Sequence, residues 1–299
     1  MKNKMIRFGL LICGLVFFCN PNLNIVDFLP DCIGCLLIVI ALTKLGDLCA
    51  DVGEAKRAFT TLFWITLSKL PALILVMWIT GQNASEETMW LVFTFCYAVA
   101  ETVFAMRAFS LLFDGLAYLG TRHDGGEFLY VWSSKPQKAD ANGASRRVRA
   151  KRVENLMHLT SAFLVAKALL YTLPEFCRLS SYDTLGYITP EGLALSGFYP
   201  LFVGAAVLVG LVIGIVWLCQ VCGYVRQIAK HTDFWNGMYQ QYAATVLPRT
   251  GIFVMRRMYA FSVLVSAAAI FSVDFYLDEV NCLPDFISAI LFFIAAFVI

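Results

Sequence analysis

The stretch NPNLNIVDFLPDCIG, Asn20 to Gly34, interrupts an apolar run with Asn, Pro and Asp, and a related break, VDFYLDEVNCLPDFIS from Val273, returns near the end of the chain. Setting Asp31 on Asp285 lays Leu23 over Leu277, Val26 over Val280, one Leu-Pro-Asp over the other, and Ile33 over Ile287. Proline is favoured in the first turn of a helix, and an aspartate there complements the positive end of the helix dipole. Each Leu-Pro-Asp therefore marks a helix start, and each copy reads as a short helix, a polar break and a second short helix.

What surrounds the two breaks is too apolar for a soluble globular chain. Hydrophobic residues make up 60% of the sequence and charged residues 15%, with a mean hydropathy of +0.72, against a usual apolar share of about 45–50%. The expected class is an all-α, polytopic transmembrane helix bundle forming a single integral membrane domain over 1–299. Eight apolar segments are readable, approximately Phe8 to Cys19, Cys32 to Thr43, Phe59 to Thr80, Thr88 to Phe113, Leu156 to Leu173, Phe198 to Cys222, Met258 to Val273 and Leu283 to Ile299.

Topology follows from lysine and arginine. With a cytoplasmic N-terminus, 19 of the 23 basic residues fall on the cytoplasmic side, only Arg178 falls outside, and Lys69, Arg107 and Lys167 lie within apolar segments. The positive-inside rule then sets both termini in the cytoplasm of a plasma-membrane protein. The first run, after Lys2, Lys4 and Arg7, reads as a retained helix because no small-residue cleavage site follows it.

A helix needs roughly 20 residues to cross a hydrocarbon core of ~30 Å. The first two and last two segments are shorter, at about twelve, twelve, sixteen and seventeen residues. Short, interrupted segments at corresponding places in two halves of a chain point to the central site of a transporter. The third and fifth segments carry a fainter likeness, with Lys69 and Lys167 at similar depth, so the order reads A, B, B, A. Between them a basic loop over 120–155 ends in RRVRAKR. Its Arg146, Arg147, Arg149, Lys151 and Arg152 serve as a topology anchor or as a contact for anionic lipid. A second connection over 223–257, rich in Tyr, Gln and Trp, suits the membrane interface.

Charges inside the apolar segments carry the strongest functional signal. Each costs ~2.5–3.5 kcal/mol on insertion scales, and such residues usually pair or mark a pathway. Glu101 is expected to pair with Lys69 or Lys167, forming a central gate or proton-coupled site, with Arg107 on the same helix. Asp31, Asp285, Asn20 and Asp274 would line an outer entrance. Capping alone also accounts for Asp31 and Asp285, and structural ion pairing for the buried charges.

Ten cysteines raise another chemistry, since Cys32 and Cys35 form CIGC at a helix start, where a thiol can be activated for disulfide cycling. The C-terminal copy has Phe286 and Ala289 at those positions. The three histidines have no zinc-protease spacing, and neither a Walker loop nor a dinucleotide fingerprint occurs. No cofactor, metal or nucleic-acid partner is expected. The segment NPNLNIVDFLPDCIGCLLI resembles the N-terminal segments of uncharacterised polytopic bacterial membrane proteins over about the first forty residues. That resemblance implies a membrane location and no activity. The leading expectation is a secondary transporter or channel for a small polar or ionic solute, the alternatives being a membrane scaffold or sensor and a thiol–disulfide oxidoreductase using Cys32 and Cys35.

Overall fold

The apolar runs fold as helices, and the polar breaks decide where each helix stops. The structure, a computed structural model, describes residues 5–20, 22–23, 26–27, 30–80, 86–122, 151–179, 198–230, 232–272, 276–277, 280–281 and 285–298. It divides into two compact units, Met1–Tyr239 and Gln240–Ile299, where the sequence reads as one domain.

In the first unit, α1 (Phe8–Phe18) leads into a two-residue antiparallel ladder of β1 (Asn22–Leu23) and β2 (Val26–Asp27), then α2 (Asp31–Leu48). There follow α3 (Ala50–Leu67), α4 (Lys69–Thr80), α5 (Glu86–Arg122), α6 (Lys151–Leu179) and α7 (Tyr199–Ala229), with α8 (Thr232–Thr245) running across the division. The second unit continues with α9 (Thr250–Phe271), a ladder of β3 (Tyr276–Leu277) and β4 (Val280–Asn281), and α10 (Asp285–Val298).

Among the described residues, five stretches are long and apolar enough to cross a membrane: Ala50–Val76, Leu91–Leu119, Val153–Pro174, Tyr199–Ala229 and Thr250–Ala269. The chain is a multi-pass helical bundle. Of the four segments read as short, α1 has 11 residues and α10 has 14, rises of ~17 and ~21 Å, but α2 has 18 and α9 has 22, the latter long enough to cross. By contrast α5 extends to 37 residues and α6 begins at Lys151, so helix enters both ends of the segment 120–155 read as a loop. The stretch 223–257 is also largely helical, occupied by the end of α7, by α8 and by the start of α9.

Helices α1 and α2 cross so closely that only glycine fits at the crossing. A Cβ on Gly14 would lie 2.7 Å from Ile38 Cγ1 and 2.8 Å from the Gly34 carbonyl, and one on Gly34 would lie 2.7 Å from Phe17 Cβ. Below this crossing the first unit is held by aromatic rings. Phe109 of α5 packs edge-on against Phe18 of α1 (5.3 Å between centroids), Phe59 of α3 (5.2 Å) and Trp217 of α7 (5.7 Å). Trp217 stacks on Phe163 of α6 at 4.5 Å and donates its indole N–H to the Thr160 hydroxyl. Five helices thus meet at one ring cluster, which edge-to-face geometry favours beyond simple burial.

Helices α3 and α4 form one apolar span broken at Ser68, and Pro71 supplies the reason. Proline has no N–H for the Leu67 carbonyl, and its ring crowds that carbonyl. The Ser68 hydroxyl turns back to the Ile65 carbonyl at 2.7 Å, and Tyr97 of α5 donates its hydroxyl to the Ser68 carbonyl at 3.0 Å.

Taken by itself, the second unit has the same local order of helix, two-residue ladder and helix as the start of the first. Its ladder pairs Tyr276 with Asn281 and Leu277 with Val280, and the first pairs Asn22 with Asp27 and Leu23 with Val26. Its buried positions follow suit: Ala268, Ser288 and Ala295 stand where the first unit has Gly14, Gly34 and Ala41, also buried. The Ser288 hydroxyl donates to the Ala268 carbonyl at 2.8 Å, so the helix crossing of the second unit is hydrogen-bonded where that of the first is a glycine contact.

Candidate functional site

Four charged side chains from four helices of the first unit meet inside the bundle. Lys69 opens α4 just after the Pro71-induced break, and its Nζ lies 2.6 Å from Glu101 Oε1 of α5. Lys167 of α6 places its Nζ 3.0 Å from Asp31 Oδ2, at the first residue of α2. The side chains are largely withdrawn from the surface, with exposures of 5% for Lys69, 13% for Glu101, 13% for Lys167 and 6% for Asp31. Glu101 lies within the membrane-crossing stretch Leu91–Leu119.

Local structure explains each position. Tyr97 and Glu101 are four residues apart on α5 and so share a face; one fills the break between α3 and α4, and the other meets the lysine that follows it. Lys167 does two jobs at once, donating to Asp31 and also to the Phe18 carbonyl at 3.2 Å. Phe18 ends α1 and Asp31 begins α2. The ammonium therefore sits at the negative end of one helix dipole, and the carboxylate at the positive end of the next. The polar break between α1 and α2 is closed by a cation reaching across from α6.

Between the two ion pairs lies a cavity of about 30 Å³, lined by Asp31, Glu101, Thr66, Thr102, Lys167 and Tyr171 together with apolar groups. Both threonines spend their hydroxyl protons on backbone carbonyls, Thr66 on Leu62 at 3.0 Å and Thr102 on Ala98 at 2.7 Å, which leaves their lone pairs to accept from a guest. A second cavity of about 20 Å³ lies on the other side of Lys167 and Tyr171, bounded by Asn20, Phe163, Leu170, Ala206 and Gly210. A single water needs roughly 10–15 Å³ on this measure, so each cavity takes one or two waters.

Of the residues singled out from the sequence, Asp31, Lys69, Glu101 and Lys167 come together, and Asn20 borders the second cavity. Asp31 meets Lys167 at the start of α2 and borders the same cavity as Glu101. Lys167 meets Asp31, and Lys69 meets Glu101. Arg107 is exposed on α5 and lines neither cavity. Asp274, the side chain of Asp285 and the basic run Arg146, Arg147 and Arg149 lie outside the described residues, as do the side chains of Lys151 and Arg152. Cys32 and Cys35 are buried free thiols, Cys35 with no surface exposure, a setting without access for thiol exchange. No group of three or more potential metal ligands occurs among the described residues.

The sequence reading passed over Tyr97, Thr66, Thr102 and Tyr171. Pro71 and the four-residue spacings Tyr97–Glu101 and Lys167–Tyr171 were the available signals. No family model, curated protein or solved structure matches this chain.

Proposed function

We propose that the chain is a secondary transporter or channel for a small ionic or polar species, with Asp31, Lys69, Glu101 and Lys167 as its central site. One observation carries this reading: two carboxylate–ammonium pairs flank a water-sized cavity, largely apolar but bordered by Asp31, Glu101 and Lys167, in a bundle of membrane-crossing helices. Four buried charges are costly in hydrocarbon, and a purely structural tie needs no space between the pairs. Orientation follows the lysine and arginine bias, with both termini in the cytoplasm of a plasma membrane and the ladder β1–β2 at the outer face. We also infer that the segments α1–α2 and α9–α10 are copies of one unit, which their shared ladder register and corresponding buried positions support. The basic run before α6 would then rest on anionic head groups.

A second reading, a membrane scaffold, draws support from Lys167, which ties three helices together through Phe18 and Asp31. The two separate in proteoliposomes adsorbed on a solid-supported membrane, where charge movement is recorded after jumps in ion concentration or pH. A transporter or channel gives protein-dependent charge movement, and the folded double variant Lys69→Met/Glu101→Gln loses it. Wild-type protein that is folded, monodisperse and electrically silent under every jump, and that takes up no neutral polar solute, sinks the transport reading and leaves the scaffold.

A further inference from the structure

We infer that the species passed through this site is the proton, and that Lys167 hands it from one water-sized cavity to the other. The inference rests on the transport reading and narrows it. Size is the first argument. Cavities of about 30 and 20 Å³ hold one or two waters each and exclude amino acids, sugars and nucleosides unless the bundle is rebuilt.

Charge is the second argument. A metal cation entering the first cavity meets the Lys167 ammonium, with Lys69 behind Glu101, and must exchange its hydration for few oxygens. A halide meets Asp31 and Glu101 instead. Either ion needs an ion pair to part. A proton neutralises the pair without moving it apart, since it is carried as a covalent N–H or O–H bond and changes only which atom bears the charge.

Placement is the third argument. Lys167 and Tyr171, one helical turn apart, line both cavities, so the route between the two waters runs past them. Facing the Lys167 ammonium are Asp31 on α2, the Phe18 carbonyl on α1, Glu101 with its partner Lys69 from α5 and α4, Cys19 and Asn20 after α1, and Tyr171 on its own helix. From α7, Ala206 and Gly210 border the second cavity and carry no charge.

The transfer balances in three steps. A hydronium in the first cavity gives its proton to the Asp31 carboxylate, leaving a carboxylic acid and water. The Lys167 ammonium, its counter-anion neutralised, then gives a proton to water of the second cavity, leaving an amine and a hydronium. The Asp31 acid then protonates the amine across the 3.0 Å hydrogen bond, and the ion pair is restored. One proton has crossed, and only N–H and O–H bonds have been exchanged.

The test uses the full chain in liposomes that enclose a pH-sensitive dye, with a potassium diffusion potential as the driving force. Wild type is expected to move protons in the direction set by the potential, while radiolabelled sodium and chloride do not follow. Lys167→Arg keeps a cation for Asp31 and Phe18 but cannot release its proton in a protein, so proton flux should fall at least tenfold while thermal stability is retained. Ala206→Val narrows the second cavity from α7 without touching a charge and should also reduce flux, which keeps the proposal testable if the arginine variant does not fold.

Flux at the wild-type level in Lys167→Arg or in Ala206→Val overturns the assigned route. Wild-type vesicles that carry sodium, chloride or another solute but no protons overturn the proton and leave the transport reading standing. Vesicles that move nothing overturn both.

Discussion

Removing one member of the Lys69–Glu101 pair should cost far more than removing both. At 2.6 Å the Coulomb attraction with an effective dielectric constant of ~20 is 332/(20 × 2.6), about 6 kcal/mol. Withdrawing the two ions from water costs several kcal/mol each and offsets most of that gain. Glu101→Gln leaves the Lys69 ammonium buried without its counter-charge, and Lys69→Met does the same to the carboxylate. Each single change is expected to destabilise the fold by ~3–5 kcal/mol, whereas the double variant Lys69→Met/Glu101→Gln should fall within ~1 kcal/mol of wild type. The coupling energy would then be at least ~5 kcal/mol, beyond the ~0.5–3 kcal/mol usual for contacting residues. Reversible unfolding of the four proteins in mixed micelles of constant composition gives the cycle directly. If the single costs add in the double variant, the two side chains do not act as a buried pair and the site as described is wrong.

Two further outcomes test how the site is held. Gly34→Ala places a methyl 2.7 Å from Phe17 Cβ and 2.8 Å from the Gly14 carbonyl. This should lower stability by ~1–3 kcal/mol as overpacking does, while Gly9→Ala, with nothing within 4 Å of the added atom, should be near neutral in the same thermal-unfolding assay. Tyr97→Phe deletes the hydroxyl that serves the Ser68 carbonyl at the Pro71 break. Because that carbonyl still accepts from the Ala72 N–H at 3.1 Å, a cost of ~0.5–1.5 kcal/mol is expected, read by chemical unfolding; no measurable change would mean that the break does not depend on α5.

The class of the molecule was legible in composition and in the spacing of charges. Long apolar runs in lipid must satisfy their own backbone groups and therefore become helical, which is why the runs from Phe8 onward are helical, the one from Phe59 to Thr80 being split at Ser68. Leu-Pro-Asp marked the starts of α2 and α10 because proline and aspartate act through the adjacent turn, a local effect that a sequence carries openly. The ends of α5 and α6 were less legible. Polar helical turns that run beyond an apolar span look like loop in hydropathy, so Arg122 and Lys151 fall inside helices that were read as stopping earlier.

Within the site, the sequence marked Lys69, Glu101 and Lys167 by itself, because a charge inside an apolar run needs an explanation wherever the run folds. It also narrowed the partner of Glu101 to two lysines, and only tertiary structure could choose. Lys69 follows a proline break on a helix packed against α5, and Lys167 lies on α6 beside the gap between Phe18 and Asp31, so distance assigns one acid to each. The meeting of Asp31 with Lys167 was out of reach of the sequence for the same reason. A capping residue is defined by its own helix, but what else it touches depends on which helix crosses that end. The two cavities and the residues that border both, Lys167 and Tyr171, belong wholly to the packing of the first unit, since empty space between helices has no signature in any one of them.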